Sequence, residues 1–292
     1  MKKVYDILSQ KVSTQVMYEY STSFYLSTFL LSKRNRQAIF SLYGFVRLAD
    51  EIVDSFHEYN KEELLNEFEY EFNKSIENKI SINPIINSFQ KVYHDYQIDY
   101  ELVQSFINSM RSDLENKTYN KELFNNYIYG SAEVVGLMCL KIFVNGNHEK
   151  FLQLKDSSIS LGAAFQKVNF LRDFKHDTNV LNRNYFNIQS FDNEKELIIA
   201  DIKKDFKNAL KGIKKLEKGA QIGVYTSYLI YLDLLKKIEK TNNSEILTKR
   251  ISVLKIKKVY LFLKSYFTVS SNLSQAGWLI VSYLYKYKIS NI

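Results

Sequence analysis

The chain has 292 residues, a formal net charge of +8, one proline (Pro84) and nine glycines. So few chain-breakers argue against a many-stranded fold, where each reversal needs turn chemistry, and at about 150 residues per domain the length allows one or two domains. Hydrophobic residues, 46% of the chain, suffice for a large core that 22 Tyr and 20 Phe can line with flat rings. The lysines are spread along helical stretches without a zinc-finger or other nucleic-acid motif, which argues against a nucleic-acid partner.

Taken in chain order, apolar spacing and caps predict helices over roughly 4–17, 20–31, 35–56, 61–79, 84–96, 99–116, 120–144, 148–177, 193–217 and 219–240, with one or two more after 243. Asn60 before Lys61-Glu62-Glu63 and Asn83 before Pro84 are the clearest starts. There is no fixed-period repeat, Ser/Gly linker or low-complexity tract, so a single helical domain over 1–292 is expected. The N-terminal MKKVYDILSQ has no apolar signal core, and Cys139 stands alone inside the apolar run Val134–Leu140. A cytoplasmic setting follows, with Cys139 as a small core residue. The positive charge fits either a solvated lysine surface or attraction to anionic lipids and diphosphates. Ser265–Tyr285 is uncharged and flanked by Lys264 and Lys286. It has the length of a membrane span, yet Ser, Thr, Asn and Gln crowd its first half, and only Trp278–Tyr285 is densely apolar. A packed terminal helix, an interfacial membrane contact and a span all remain open for it.

Two stretches carry chemistry. In Tyr43–Asp54, Asp50 and Asp54 share a helix face, with Arg47 one turn earlier. Paired carboxylates repel unless a cation lies between them, and Mg²⁺ takes such oxygen ligands together with phosphate oxygens. Arg47 adds a planar donor fork for the same phosphate. Taken alone, this spacing also describes an exposed acidic face. The second stretch, Ala163–Asp177, places Gln166, Asn169, Asp173 and Asp177 in a polar stripe among Phe165, Val168, Phe170, Leu171 and Phe174. A polar stripe within an apolar surround reverses the pattern of a solvent-facing helix, and burying such groups is costly unless a ligand satisfies them.

In these residues the chain resembles squalene/phytoene synthases, the head-to-head prenyl synthases, over about residues 12–264. Tyr43–Asp54 is similar to the family's first aspartate motif. Gln166, Asn169, Arg172, Asp173 and Asp177 match its second, Q-x-x-N-x-x-R-D-x-x-x-D. Ser21-Thr22-Ser23-Phe24-Tyr25 resembles its S-x-S-F segment, Tyr127–Met138 its central tyrosine-to-glycine helix, and Arg183 and Tyr185 the loop after the second motif. Met110–Leu114 looks more like the phytoene than the squalene branch. The segment 265–292 matches nothing in the family. His176 stands where an acid is usual, Asn182 and Asn187 replace a glycine and a proline, and Tyr20 takes the place of a histidine in some relatives.

The resemblance implies an all-α isoprenoid-synthase bundle around a central cavity. It implies Asp50, Asp54, Asp173 and Asp177 as catalytic, and the same four with Asn169 as ligands of Mg²⁺, with Mn²⁺ as a substitute. Ser21, Ser23, Tyr43, Arg47, Gln166, Asn169, Arg172, Arg183 and Tyr185 would face diphosphate. Phe24, Tyr129, Val134, Gly136, Phe165 and Phe170 would line the prenyl cavity; Gly136 and the Gly162-Ala163-Ala164 cluster also fit plain close packing. The expected reaction joins two geranylgeranyl diphosphates through a cyclopropyl diphosphate to phytoene, without NADPH. Squalene or dehydrosqualene synthesis from farnesyl diphosphate is the near alternative. A non-catalytic lipid-binding or assembly protein is the distant one, and it predicts degenerate aspartates, whereas all four are present. Prenyl diphosphates and the inner face of a membrane are the partners implied; nothing in the sequence specifies an oligomer.

Overall fold

A computed structural model describes residues 2–115, 121–179 and 191–270. The side chains of residues 121, 179 and 191–194 are outside that description. Every regular element among the described residues is helical. In order they are α1 Lys2–Tyr20, α2 Thr22–Phe29, α3 Lys33–Ser55, α4 Lys61–Asn78, α5 Pro84–Asp95, α6 Tyr100–Ser112, α7 Lys121–Ile128, α8 Val134–Phe143, α9 His148–Asn179, α10 Phe191–Ile213, α11 Lys218–Lys240, α12 Asn243–Ile246 and α13 Lys255–Val269. A π-helical turn, Tyr129–Glu133, joins α7 to α8.

Side-chain caps decide several starts. Ser21 Oγ accepts from Phe24 N–H at 3.2 Å, and Asn60 Oδ1 accepts from Glu63 N–H at 3.2 Å. Asn83 accepts from Ile85 and Ile86 N–H, with Pro84 at the first helical position, where its missing donor is not needed. Lys79 ends α4 in the left-handed region at φ 57°. The expected helices over 20–31 and 120–144 are each corrected. Ser21 is a cap in extended backbone and starts α2 at Thr22, and the π turn interrupts the second helix by inserting one residue into its hydrogen-bond ladder.

The helices bury two apolar cores. In the first, α1 packs on α3 and α5, and α4, α6 and α8 close around them. Phe45 anchors it, its ring centroid 4.2 Å from Phe89, 4.7 Å from Phe68 and 5.1 Å from Phe72. The second gathers α2, α7 and α9 to α13 around Leu171, Ile202, Phe206 and Leu235. The long α9 belongs to the interior and touches α7, α8, the π turn, α10, α11 and α12. Phe24, Phe143 and Leu216 pack against both cores and mark the seam between them.

Candidate functional site

Along that seam runs a cavity of about 290 Å³. One face of α9 lines it from Leu154 to Asn169, through Ser157, Ser158, Leu161, Gly162, Phe165 and Gln166. Steps of three and one in alternation hold to a single helix face. Asn169 and Leu154 are fifteen residues apart, so the lined face is about 22 Å long at 1.5 Å per residue. The polar stripe begins at the Gln166–Asn169 end.

The other walls share this polarity. The Cβ of any larger residue at Gly162 would lie 2.6 Å from Ala132 O, and one at Gly136 would lie 3.0 Å from Ser158 O. These contacts set α8 antiparallel to α9, so Phe143 lies at the Leu154 end. At Gly212 a Cβ would meet Ser157 Cβ at 2.4 Å, which brings the end of α10 to the same place. Gly223 of α11 packs against Ser27 of α2 and Leu31 just beyond it, while Phe24 of α2 and Tyr231 of α11 stack at the other end, 5.6 Å between centroids. Of the five serines on the wall, Ser27, Ser131 and Ser157 donate to the carbonyls of Ser23, Tyr127 and Asn208. Besides Ser158 and Ser227, the cavity presents mostly methylenes and rings. Cys139 is on the wall too, instead of being sealed in the core, and burial pushes its thiol up to about 12. It stays protonated at neutral pH.

At the polar end both aspartate stretches border the cavity, through Tyr43 and Val46 of α3 and Gln166 and Asn169 of α9, while the aspartates themselves lie outside its lining. Phe24 links them, its ring 6.3 Å from Tyr43 on α3 and 5.6 Å from Tyr231 on α11. Tyr231 stacks on Phe165 at 4.1 Å and donates to Asn169 Oδ1 at 3.2 Å. Asn169 donates in turn to Gln166 Oε1 at 3.4 Å. Burial, together with the Asp50 charge, pushes the Tyr43 phenol up despite nearby Arg47. Tyr43 also bonds Ser21, the α2 cap. Ser23 is half-buried one turn into α2.

On α3, Arg47 forks between Asp50 and Glu51, and its guanidinium lies 4.3 Å from the centroid of the Tyr20 ring. Its Nε is buried and has no hydrogen-bond partner. On α9, Asp173 is held by Arg172 and, at 2.7 Å, by Arg250 from beyond α12. Burial pushes the Asp173 carboxyl up, but the two arginines outweigh it and keep the group below the ordinary carboxylate range. Asp54 and Asp177 are half-buried on the same helices. Lys258 of α13 donates to Thr22 Oγ1 at 2.9 Å. Burial and repulsion from Arg172, Arg250 and Lys255 push its ammonium down. Arg47, Arg172 and Arg250 are thus each matched by a carboxylate, and Lys258 donates to a neutral hydroxyl.

Of the expected wall residues, Phe24, Gly136 and Phe165 line the cavity, and Tyr129, Val134 and Phe170 do not. The residue inserted at the π turn leaves Tyr129 at a shallow hollow beside Ser105 and Asn108, 43% exposed. Val134 faces the first core, and Phe170, one step around α9 from Asn169, packs on Phe124 and Tyr127. Arg183, Tyr185, Asn182, Asn187 and all but the start of the 265–292 segment lie outside the described residues. The sequence reading missed Tyr231, Arg250 and Lys258. Only for Tyr231 was there a local signal, a phenol in an apolar helix that needs a partner for its hydroxyl.

The donors around this opening are carboxylates and an amide carbonyl, with no thiolate or imidazole pair among them, and so fit Mg²⁺ or Mn²⁺. Among the described residues no three His, Cys, Asp or Glu side chains form a group that could hold a metal ion, and Asp50 and Asp173 are each paired with arginine.

The squalene/phytoene synthase family model matches residues 17–257. Among curated proteins, phytoene synthase of Arthrospira platensis is 27% identical over 280 residues, covering 86% of this chain and 90% of that one. Chloroplastic phytoene synthase of an Oncidium hybrid cultivar is 27% identical over 269 residues, 84% of this chain; these residues span 64% of that longer protein, less than two thirds of it. Among solved structures, a dehydrosqualene synthase in complex with ligand superposes with a TM-score of 0.77 at 19% identity, covering 91% of this chain and 98% of that one. A squalene synthase from Alicyclobacillus acidocaldarius gives 0.70 at 17%, covering 81% and 95%. Both structural likenesses are at the level of fold.

Proposed function

Since the chain belongs to the squalene/phytoene synthase family, we propose that it joins two geranylgeranyl diphosphates head to head, giving phytoene and two diphosphates. The observation that supports this reading is that both aspartate stretches, through Tyr43 and Val46 on α3 and Gln166 and Asn169 on α9, border one end of the same apolar, ring-lined cavity. A bound Mg²⁺ or Mn²⁺ would be held by Asp50, Asp54, Asn169, Asp173 and Asp177 and would neutralise the departing diphosphate charge. Arg47, Arg172, Arg250 and Lys258 add fixed positive charge for the same anion. The remaining cavity keeps water from the allylic cation left behind, and the stacked faces of Phe24, Phe165 and Tyr231 favour that cation. Attack by the second substrate's double bond and loss of a proton give a cyclopropyl diphosphate. Loss of the second diphosphate, rearrangement and a further proton loss complete the product, and no reductant enters the balance.

The length of the cavity supports the longer substrate. An extended prenyl chain gains roughly 5 Å per isoprene unit, four carbon–carbon bonds of about 1.5 Å in zigzag. Four units thus need about 20 Å, close to the reach from Asn169 to Leu154. The test is product chromatography with geranylgeranyl and farnesyl diphosphates, each with and without NADPH. A single C40 product independent of NADPH is expected; a C30 product from farnesyl diphosphate in preference to C40 overturns the substrate assignment.

Reversible association with an anionic membrane belongs to the same proposal. Ile256, Tyr260 and Phe267 are 67%, 54% and 48% exposed and fall within about 40° around α13. Lys257 and Lys264 flank them, and α13 carries no acidic residue. No described helix is long and apolar enough to cross a membrane, so the contact would be superficial. Vesicle flotation should show binding to anionic vesicles that salt weakens; equal binding to neutral vesicles at every salt concentration counts against it.

A further inference from the structure

We infer that the closed end of the cavity, where Leu154 of α9, Cys139 of α8 and Leu216 after α10 converge with Phe143, sets the length of prenyl chain the protein accepts. This rests on the reading of prenyl diphosphates as substrates and adds which residues measure them. The register of the walls supports it. Gly136 stands against Ser158, and α8 runs antiparallel to α9, so three residues on, Cys139 reaches the level of Leu154. The Gly212 position meets Ser157 and approaches Leu154 Cδ2, which brings Leu216, one turn further along the chain, to the same level. Phe143 and Leu216 pack against both cores, so the seam that forms the cavity is shut there by side chains that belong to each side.

Within this floor the three helices contribute differently. Leu154 is only 4% exposed, packs into the first core and borders the cavity with the rest of its side chain. Cys139 is small and borders open cavity, so a larger side chain there extends into empty space and leaves the packing intact. Cys139→Phe therefore removes about one isoprene unit of depth, and Leu154→Ala adds depth. The polar end, more than 20 Å away by the rise of α9, is untouched by either.

The test measures kcat/KM for C10, C15, C20 and C25 all-trans prenyl diphosphates with Mg²⁺ present, beside thermal melting, for wild type, Cys139→Phe, Cys139→Leu and Leu154→Ala. The inference expects Cys139→Phe to move preference one isoprene unit shorter, changing the ratio between adjacent lengths by about tenfold or more. Cys139→Leu should move it in the same direction by less, and Leu154→Ala should move it longer. Folded variants that lose all lengths equally, or shift the same way at both positions, overturn it. If Cys139→Phe does not fold, Cys139→Leu and Leu154→Ala decide the matter. A wild type that prefers C15 defeats the geranylgeranyl reading alone; the floor is then judged by shifts from that starting length.

Discussion

The two ends of the cavity share α9 and are chemically opposite. At the mouth, α3 and α9 present Asp50, Arg47, Asn169, Arg172 and Asp173, and almost every group is held by an ion pair or hydrogen bond. At the floor, the same α9, now with α8 and α10, presents Leu154, Leu140, Phe143 and Ile213, held by packing alone. Directional, charged contacts suit a place where charge develops; contacts that depend only on volume suit a place where length is measured. Damage at the mouth should therefore change whether reaction occurs, and damage at the floor should change which chain reacts.

The sharpest break of that contrast is Asp50→Asn or Asp173→Asn. Each replaces a carboxylate with a neutral group of similar volume. If they hold the ions that stabilise the leaving diphosphate, about 3–4 kcal/mol is lost and turnover falls roughly a hundred- to a thousandfold for every chain length. Steady-state kinetics on folded protein is the measurement, and near-normal turnover refutes the metal assignment. Chelation with EDTA should likewise abolish turnover and added Mg²⁺ or Mn²⁺ should restore it; full activity in excess EDTA rules the ions out.

Arg250→Gln should cost less. Arg250 is largely exposed, so solvent screens its charge, and about a tenfold rise in KM is expected, with a weaker response of KM to salt. An unchanged salt response would remove Arg250 from anion binding. Glu51→Gln should be milder still, within about tenfold, since Arg47 keeps its bond to Asp50. Equal losses at Glu51 and Asp50 would mean that the first motif acts only by positioning Arg47.

The smallest effect concerns acid. The arginines hold the folded Asp173 carboxyl below its unfolded value. Its contribution to stability is therefore fully present above the unfolded carboxylate pKa of about 3.9 and is lost as pH falls through the folded value. Urea midpoints of wild type and Asp173→Asn should differ at pH 7 and converge below that range. A gap that persists in acid would assign the difference to packing.

How far the sequence carried depended on whether the signal was local. The all-helical fold was legible because one proline and repeated caps such as Asn60 and Asn83 act within a few residues. The two aspartate stripes were legible for the same reason, since steps of three and four define a face. Arg250 and Lys258 were not, because Lys258 reaches the mouth through the packing of α13 on α2 and α11, and Arg250 follows α12, which packs on α9; no spacing in their own segments encodes either contact. The wall departs from expectation for two reasons: at Tyr129 and Val134 the π turn, with its one inserted residue, breaks the helix expected over 120–144, and at Phe170 the side chain lies one step around α9 from the face that lines the cavity.

That inserted residue has a consequence for how such a chain varies over generations. Downstream of the π turn, α8 is rotated by about 100° relative to an uninterrupted helix, the share of one residue in a 3.6-residue turn. Deleting any one position among 129–133 would turn Gly136 and Cys139 away from α9 and the cavity together, even though every side chain that touches substrate was still encoded. Point substitutions can adjust this protein a little at a time. At the π turn a change of chain length moves a whole wall in a single step, so descendants should vary in residue identity there far more readily than in residue number.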